Sequence, residues 1–287
     1  MDKDYRIRFE SGGRTLELSP TSPCRLLAGG LRGFDSTGLD VAIRSYASLH
    51  GGHPERRRFT ERELGLTFEI DAGEVETEEL RRSIAAMMDP RLTCELDVEI
   101  YGVHRCISVI PCGEVRFERE TMHDRPEVML EFVSPDVFFR AAEPEEVVFR
   151  DPVPLLTYPL TFFAGAGMTS GIFRTSSVAR PVNRGDTSCG IVAEIVANGG
   201  DVVTPGISCG DAFIKCPLTL SDGDRLVIDT RERQKNIYLN GERHFMFDRR
   251  STFFRLPMGE SVVTLLCESG EEYVRARMEY VPLYFGV

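Results

Sequence analysis

The residue types that could do chemistry in this chain are present, but not in the patterns that chemistry needs. A hydrolytic serine on a nucleophile elbow reads G-x-S-x-G, and Gly167-Met168-Thr169-Ser170-Gly171 lacks that spacing. Gly165-Ala166-Gly167 has no Lys-Ser/Thr after it, so it reads as a turn and not as a phosphate loop. Glu194, Asp224, Asp229, Glu268 and Glu272 offer carboxylates for a glycosidase pair. Asp224, however, follows Gly223 as a turn former, and Asp229 sits where a strand end needs capping. Sugar binding would want an aromatic plate. Trp is absent, which leaves Tyr238, Tyr273, Phe245 and Phe247. His50 and His53 are a ligand pair without a third member nearby, so exposed loop histidines are the expectation.

The eight cysteines contain no C-x-x-C pair, and several lie inside apolar strand patterns such as Thr93-Cys94-Glu95-Leu96. They read as buried reduced thiols, with assembly in a reducing cytosol. Neither a metal nor a cofactor is expected, and the chain reads as a non-enzyme.

The elements that would position these residues are mostly strands. Leu64, Leu66, Phe68 and Ile70 alternate with polar neighbours, as do Leu92 to Ile100 and Val128 to Phe132, so each reads as a half-buried strand. Thr77–Met88 breaks the rhythm. Leu80, Ile84, Met87 and Met88 form a helical stripe, with Thr77 as the expected cap and Asp89-Pro90 as the stop. Residues 46–62 combine Gly51-Gly52, Pro54 and Arg56-Arg57-Arg58 and read as an extended hairpin reaching beyond its own domain. A seam falls near 140, where Ala141-Ala142-Glu143-Pro144 precedes Pro152 and Pro154. Beyond it come short strands, expected at Gly190–Val196, Phe213–Leu220, Arg225–Asp229, Asn236–Leu239, Thr252–Leu256, Val262–Cys267 and Tyr273–Tyr280. Asn240-Gly241 marks a hairpin turn among them.

A chain of 287 residues allows two domains, and its 42% hydrophobic content is enough to build cores. The net charge of −11 disfavours sequence-specific DNA binding, while a negative wall would let DNA pass without sticking. The N-terminus is too charged for a signal peptide, and no apolar run is long enough to span a bilayer.

The second half runs Asn183-Arg184-Gly185-Asp186, then Gly223-Asp224 to Thr230, then Ile237-Tyr238-Leu239-Asn240-Gly241, then Ser251 to Gly259. This order of motifs resembles the C-terminal galectin-like domain of phage distal tail proteins. In the first half, Arg57-Arg58-Phe59 to Glu63, the following strand and helix, and Glu131 to Phe139 are similar to the family's ring domain and its closing signature. Val137 stands where a second proline often occurs.

The resemblance implies a mainly β protein in two parts. An N-terminal β-sandwich or split-barrel ring domain with one helix would cover 1–142. A linker or domain entry would cover 143–160 and a galectin-like β-sandwich 161–287. It also implies a ring of six copies at the distal end of the tail tube of long-tailed (siphovirus-type) phages, built in the host cytoplasm and located at the tip of the virion's tail. That ring would join the tube protein to the tail-tip protein and, in many members, to receptor-binding proteins. DNA would pass through its lumen. Arg56, Arg57, Arg58, Glu61, His50 and His53 are then candidates for the ring interface. A carbohydrate-binding adhesion module and a glycosidase are the competing readings.

Overall fold

A computed structural model describes residues 5–46, 50–119, 124–154, 171–175 and 177–287. The expected turn at 165–167 and the stretch up to Ser170 lie outside the described residues, as do 47–49 of the expected hairpin tip. The chain divides into two compact units, Met1–Ala142 with Leu283–Val287, and Glu143–Pro282.

The first unit is a closed barrel. Its strands are β1 (Tyr5–Ser11), β2 (Arg14–Leu18), β3 (Cys24–Arg32), β6 (Arg62–Ile70), β7 (Cys94–Ile100), β8 (Val103–Glu118) and β9 (Glu127–Ser134). They run in the order β8-β7-β1-β2-β3-β6-β9, and β9 pairs back onto β8. Closure leaves no free edge around the ring of strands. The expected alternation holds on β6, where Leu64, Leu66, Phe68 and Ile70 are buried, and on β9, where Val128, Leu130 and Phe132 are. Phe9 of β1 meets Phe132 with ring centroids 4.9 Å apart in the core.

One helix, α1 (Glu74–Met87), lies between β6 and β7 in sequence. Ile84 and Met87 are buried, and Leu80 and Met88 pack partly against the core, as their spacing predicts. The start differs from the expectation. Gly73 is the N-cap, and Thr77 is a buried residue inside the helix whose hydroxyl reaches Ala72 O at 3.3 Å. Glu74 and Glu76 occupy the first turn, where the dipole favours acids, so the helix starts earlier than the apolar stripe shows. Ser11 Oγ donates to Met87 O at 2.7 Å and ties the helix end to β1.

The expected domain boundaries need two corrections. Glu145–Val148, expected in a linker or domain entry, is already a strand of the second unit and pairs with 277–280. Residues 283–287, expected in the second domain, belong to the first unit. There Leu283–Tyr284 pairs antiparallel with β10 (Phe139–Ala141), Phe139 opposite Tyr284 and Arg140 opposite Leu283. The second unit is therefore an insertion between two paired strands of the first. Replacing 143–282 by Asn-Gly should leave a folded barrel, because Ala141-Ala142-Asn-Gly is then a four-residue hairpin loop between the paired Arg140 and Leu283. A cooperative melt and dispersed amide resonances would confirm it; an aggregated or molten product would refute it.

The second unit contains a six-stranded antiparallel sheet. Its order is Glu145–Val148, Val274–Tyr280, Ile191–Ala197, Arg225–Asp229, Asn236–Leu239 and Glu242–Arg243. A four-stranded sheet runs Val178–Ala179, Val263–Leu266, Gly206–Cys209 and Ala212–Lys215. One face of each sheet is apolar and buried, with Ile191, Ala193 and Ile195 on the first and Ile207, Ile214 and Val263 on the second. The strand expected at Phe213–Leu220 is broken, because Leu218 N turns back to Cys216 O around Pro217. Thr252–Leu256 keeps a single bridge, Leu256 to Cys189, because Thr252 and Ser251 bond instead to the side of the 212–215 strand.

Candidate functional site: a hairpin outside the barrel

Between β3 and β6 the chain leaves the barrel as β4 (Leu39–Ser45) and β5 (Gly52–Phe59), a two-stranded sheet that pairs with no other described strand. Its base is tightly built. Gly33 has φ +79°, and a Cβ there would stand 1.9 Å from Glu63 O, so only glycine fits this exit. Phe34 is buried against Phe139, with centroids 5.9 Å apart. Thr60 N donates to Gly38 O at 2.9 Å and closes the loop. Phe59, Phe138 and Phe285 form an aromatic triangle with centroids 5.4–5.5 Å apart.

Arg62 holds this base together. Its guanidinium donates to Gly33 O (2.7 Å), Val137 O (2.9 Å) and Phe285 O, and it lies over the Phe139 ring. The side chain is fully buried, and burial depresses its pKa to about 10, so it remains a cation at neutral pH.

Directly opposed residues share a face in an antiparallel pair, so the register sorts the predicted residues. Asp40 faces Arg58, and Ala42 faces Arg56. Arg58 Nε lies 2.9 Å and Arg56 Nε 3.1 Å from Asp40 Oδ2, and Arg58 first, then Arg56, hold that carboxyl below the ordinary range. The other face carries Leu39, Val41 and Ile43 opposite Phe59, Arg57 and Pro54. Leu39, Val41, Ile43 and Phe59 are 69%, 55%, 64% and 39% exposed. Burying such side chains is worth about 1.5–3 kcal/mol each, and an isolated two-stranded hairpin is marginal in water. The arrangement is that of a surface built to be covered.

Of the sequence candidates, Arg57 alone stands on this apolar face, while Arg56 and Arg58 brace the opposite one. His53 faces Arg44 on β5, His50 precedes β5, and Glu61 is exposed in the link to β6. No group among the described residues brings together three side chains able to hold a metal. The apolar face escapes a reading fixed on charge. The signal that finds it is the period-two run Leu39, Val41, Ile43.

Three of the carboxylates considered for catalysis, Glu194, Asp224 and Asp229, are held by structural partners. Glu194 lies between Arg225 and Arg277, Nε of the latter at 2.5 Å. Arg231 clasps both oxygens of Asp229 at 2.6 and 3.0 Å. All eight cysteines are free thiols. Burial pushes Cys24 and Cys189 up to about 11 and Cys216 to about 12. Iodoacetamide at pH 7.5 should therefore spare these three in the folded chain and modify all eight after denaturation. Mass mapping that finds Cys24 or Cys216 labelled in the native protein would contradict this.

The second unit's sequence motifs prove to be stitches between elements. Asn183 Nδ2 donates to Thr187 O and Leu256 O at 3.0 and 3.2 Å, and its Oδ1 accepts from Gly185 N at 2.9 Å. The N-x-G-D turn is thus pinned to the F-F-x-L segment. Asp224 accepts from Asn240 Nδ2 at 2.8 Å, and Asn240 Oδ1 accepts from Arg225 N at 2.9 Å, which joins the G-D turn to the N-G turn.

Residues 184–284 match the siphovirus-type tail component, C-terminal domain. The stitched motifs fall within or directly beside the matched residues. No curated protein matches the chain. Among solved structures, the chain resembles the SPP1 Dit (gp 19.1) protein, described as a paradigm of hub adsorption apparatus in phages infecting Gram-positive hosts. The likeness has a TM-score of 0.66 at 11% identity and covers 98% of this chain and 99% of that one. A chain of the phage P2 baseplate in its activated, calcium-bound conformation gives a TM-score of 0.51 at 11% identity, covering 98% of each chain. At this identity the likenesses show the fold: one mostly β architecture shared with tail components along the whole chain.

Proposed function

We propose that this chain is a structural hub protein of a phage tail tip, forming a ring of six copies at the distal end of the tail tube. The observation that carries the reading is the tail-component match of 184–284, joined to a first unit whose hairpin carries an uncovered apolar face. The barrel unit forms the ring, and the face of Leu39, Val41, Ile43 and Phe59, with Arg57 at its centre, seats on the neighbouring copy. Glu61, His50 and His53 border that contact, while Arg56 and Arg58 stiffen the hairpin from behind. The second unit serves as the galectin-like sandwich that docks tail-tip or receptor-binding components. The tube protein lies on the other side of the ring, and DNA passes through the lumen without specific contacts. The particle is built in the host cytoplasm and resides in the virion.

The test is the mass and outline of the purified chain, by light scattering after size exclusion and by negative-stain imaging. A sixfold ring or a stack of rings is expected. A concentration-independent monomer that binds a glycan array would replace this reading with the carbohydrate-binding module.

A further inference from the structure

The second unit carries an exposed apolar cluster that none of its stitches uses. In the segment after the Glu242–Arg243 strand, Phe245, Met246 and Phe247 are 78%, 63% and 38% exposed. At about 200 Å² per large side chain this is on the order of 350 Å², the size of patch that on a soluble surface marks a contact site.

The segment is pinned on both sides. His244 N donates to Ile237 O at 2.8 Å, and Asp248 N donates to Lys215 O at 2.9 Å. Phe247 stands edge-on to Phe253 with centroids 5.8 Å apart. The backbone hydrogen bonds on either side thus hold Phe245 and Met246 outward. Arg243 and Arg249 flank them in sequence, both exposed, with the exposed Glu242 beside Arg243, while Arg250 is held by Asp248 at 3.0 Å. The flanks are net positive on a chain whose net charge is −11.

We propose that Phe245-Met246-Phe247 and the flanking Arg243 and Arg249 form a docking site for an acidic protein segment bearing apolar side chains, supplied by a different chain. Met and aromatic side chains with arginine are the types enriched where proteins meet, and a thioether adapts to the shape it covers. Opposite charge sets the orientation of the incoming segment. A lipid surface fits less well, since anionic membranes are held by clusters of about 4–8 basic residues and only two free arginines border this patch. The proposal deepens the docking role given to the second unit and does not depend on the ring, whose failure is read separately by particle mass.

The experiment uses the full chain and a fluorescein-labelled synthetic 12-residue peptide of alternating Glu and Leu/Phe, read by polarisation. Its counterpart carries Lys in place of Glu. The acidic peptide is expected to bind, to weaken as salt rises, and to lose at least tenfold in affinity with F245S/M246S. R243E/R249E should reverse the preference to the basic peptide. Circular dichroism and thermal melting control for folding. Equal binding of both peptides, unchanged binding by F245S/M246S, or no binding of the acidic peptide at millimolar concentration would overturn the proposal. So would sedimentation with phosphatidylglycerol vesicles that F245S/M246S abolishes, which would assign the patch to lipid. A change in particle mass with F245S/M246S would overturn it in favour of self-contact.

Discussion

A chain carrying Val41→Glu and Ile43→Glu will fold and will not form rings. Both residues project from the hairpin's free face and touch no part of the barrel core, so the monomer loses little. In a ring the two carboxylates would be carried into an apolar contact, and an unpaired buried charge costs several kcal/mol. A shift of at least a hundredfold toward monomer is expected, read by light scattering at fixed concentration with the far-ultraviolet spectrum unchanged. Arginine variants should rank below it and differ among themselves. Arg57→Glu alters the apolar face itself. Arg56→Glu leaves Asp40 still held by Arg58 at 2.9 Å and should matter least. Intact rings in the double variant would remove the hairpin from the assembly surface.

Arg62→Met should destabilise the first unit by about 3–5 kcal/mol. The substitution keeps apolar volume but leaves the carbonyls of Gly33, Val137 and Phe285 without their donor in a dry site. Arg62→Lys should recover only part of the loss, because one ammonium cannot reproduce a planar fork aimed at three carbonyls. Since burial lowers Arg62 to about 10, below the ordinary guanidinium value, the unfolded chain holds the proton more tightly, and stability through this group rises with pH above about 10. Raising the pH from 7 to 9 should therefore cost nothing through Arg62. Deleting 283–287 removes the Phe285 carbonyl and one ring of the aromatic triangle at once and should open the unit more than Arg62→Met does. Denaturant melts and dye binding report both. A wild-type midpoint for Arg62→Met would show that the clasp is dispensable.

The barrel strands were legible because burial on one face writes itself as alternation: Leu64 to Ile70 and Val128 to Phe132 needed no other information. The helix was legible in its stripe but not in its start, since Glu74-Val75-Glu76 carries no apolar spacing and Thr77 has the chemistry of a cap it does not form. The Arg56-Arg57-Arg58 run was visible as charge. Its division between two faces follows from the pleat, which separates neighbours that the sequence lists together. Nothing in Leu283 to Val287 announces that this segment returns to the first unit. That fact rests on pairings with residues more than a hundred positions away, where local pattern is silent. The motifs of the second half were recognisable for a different reason. Asn183, Asp224 and Asn240 each have to be one residue type to make the bonds they make.

The insertion of the second unit between Ala142 and Leu283 also sets a clock on biosynthesis. The ribosome delivers the barrel's first seven strands early, yet Arg62 has no Phe285 carbonyl to grip until the inserted unit has been translated. With some 140 residues intervening, at about 5–20 residues per second, the wait is roughly 7–30 s. Throughout it the root of the hairpin lacks its third aromatic ring and one of its three carbonyl anchors. Any contact that needs the finished base of the hairpin therefore has to wait until 283–287 have been made.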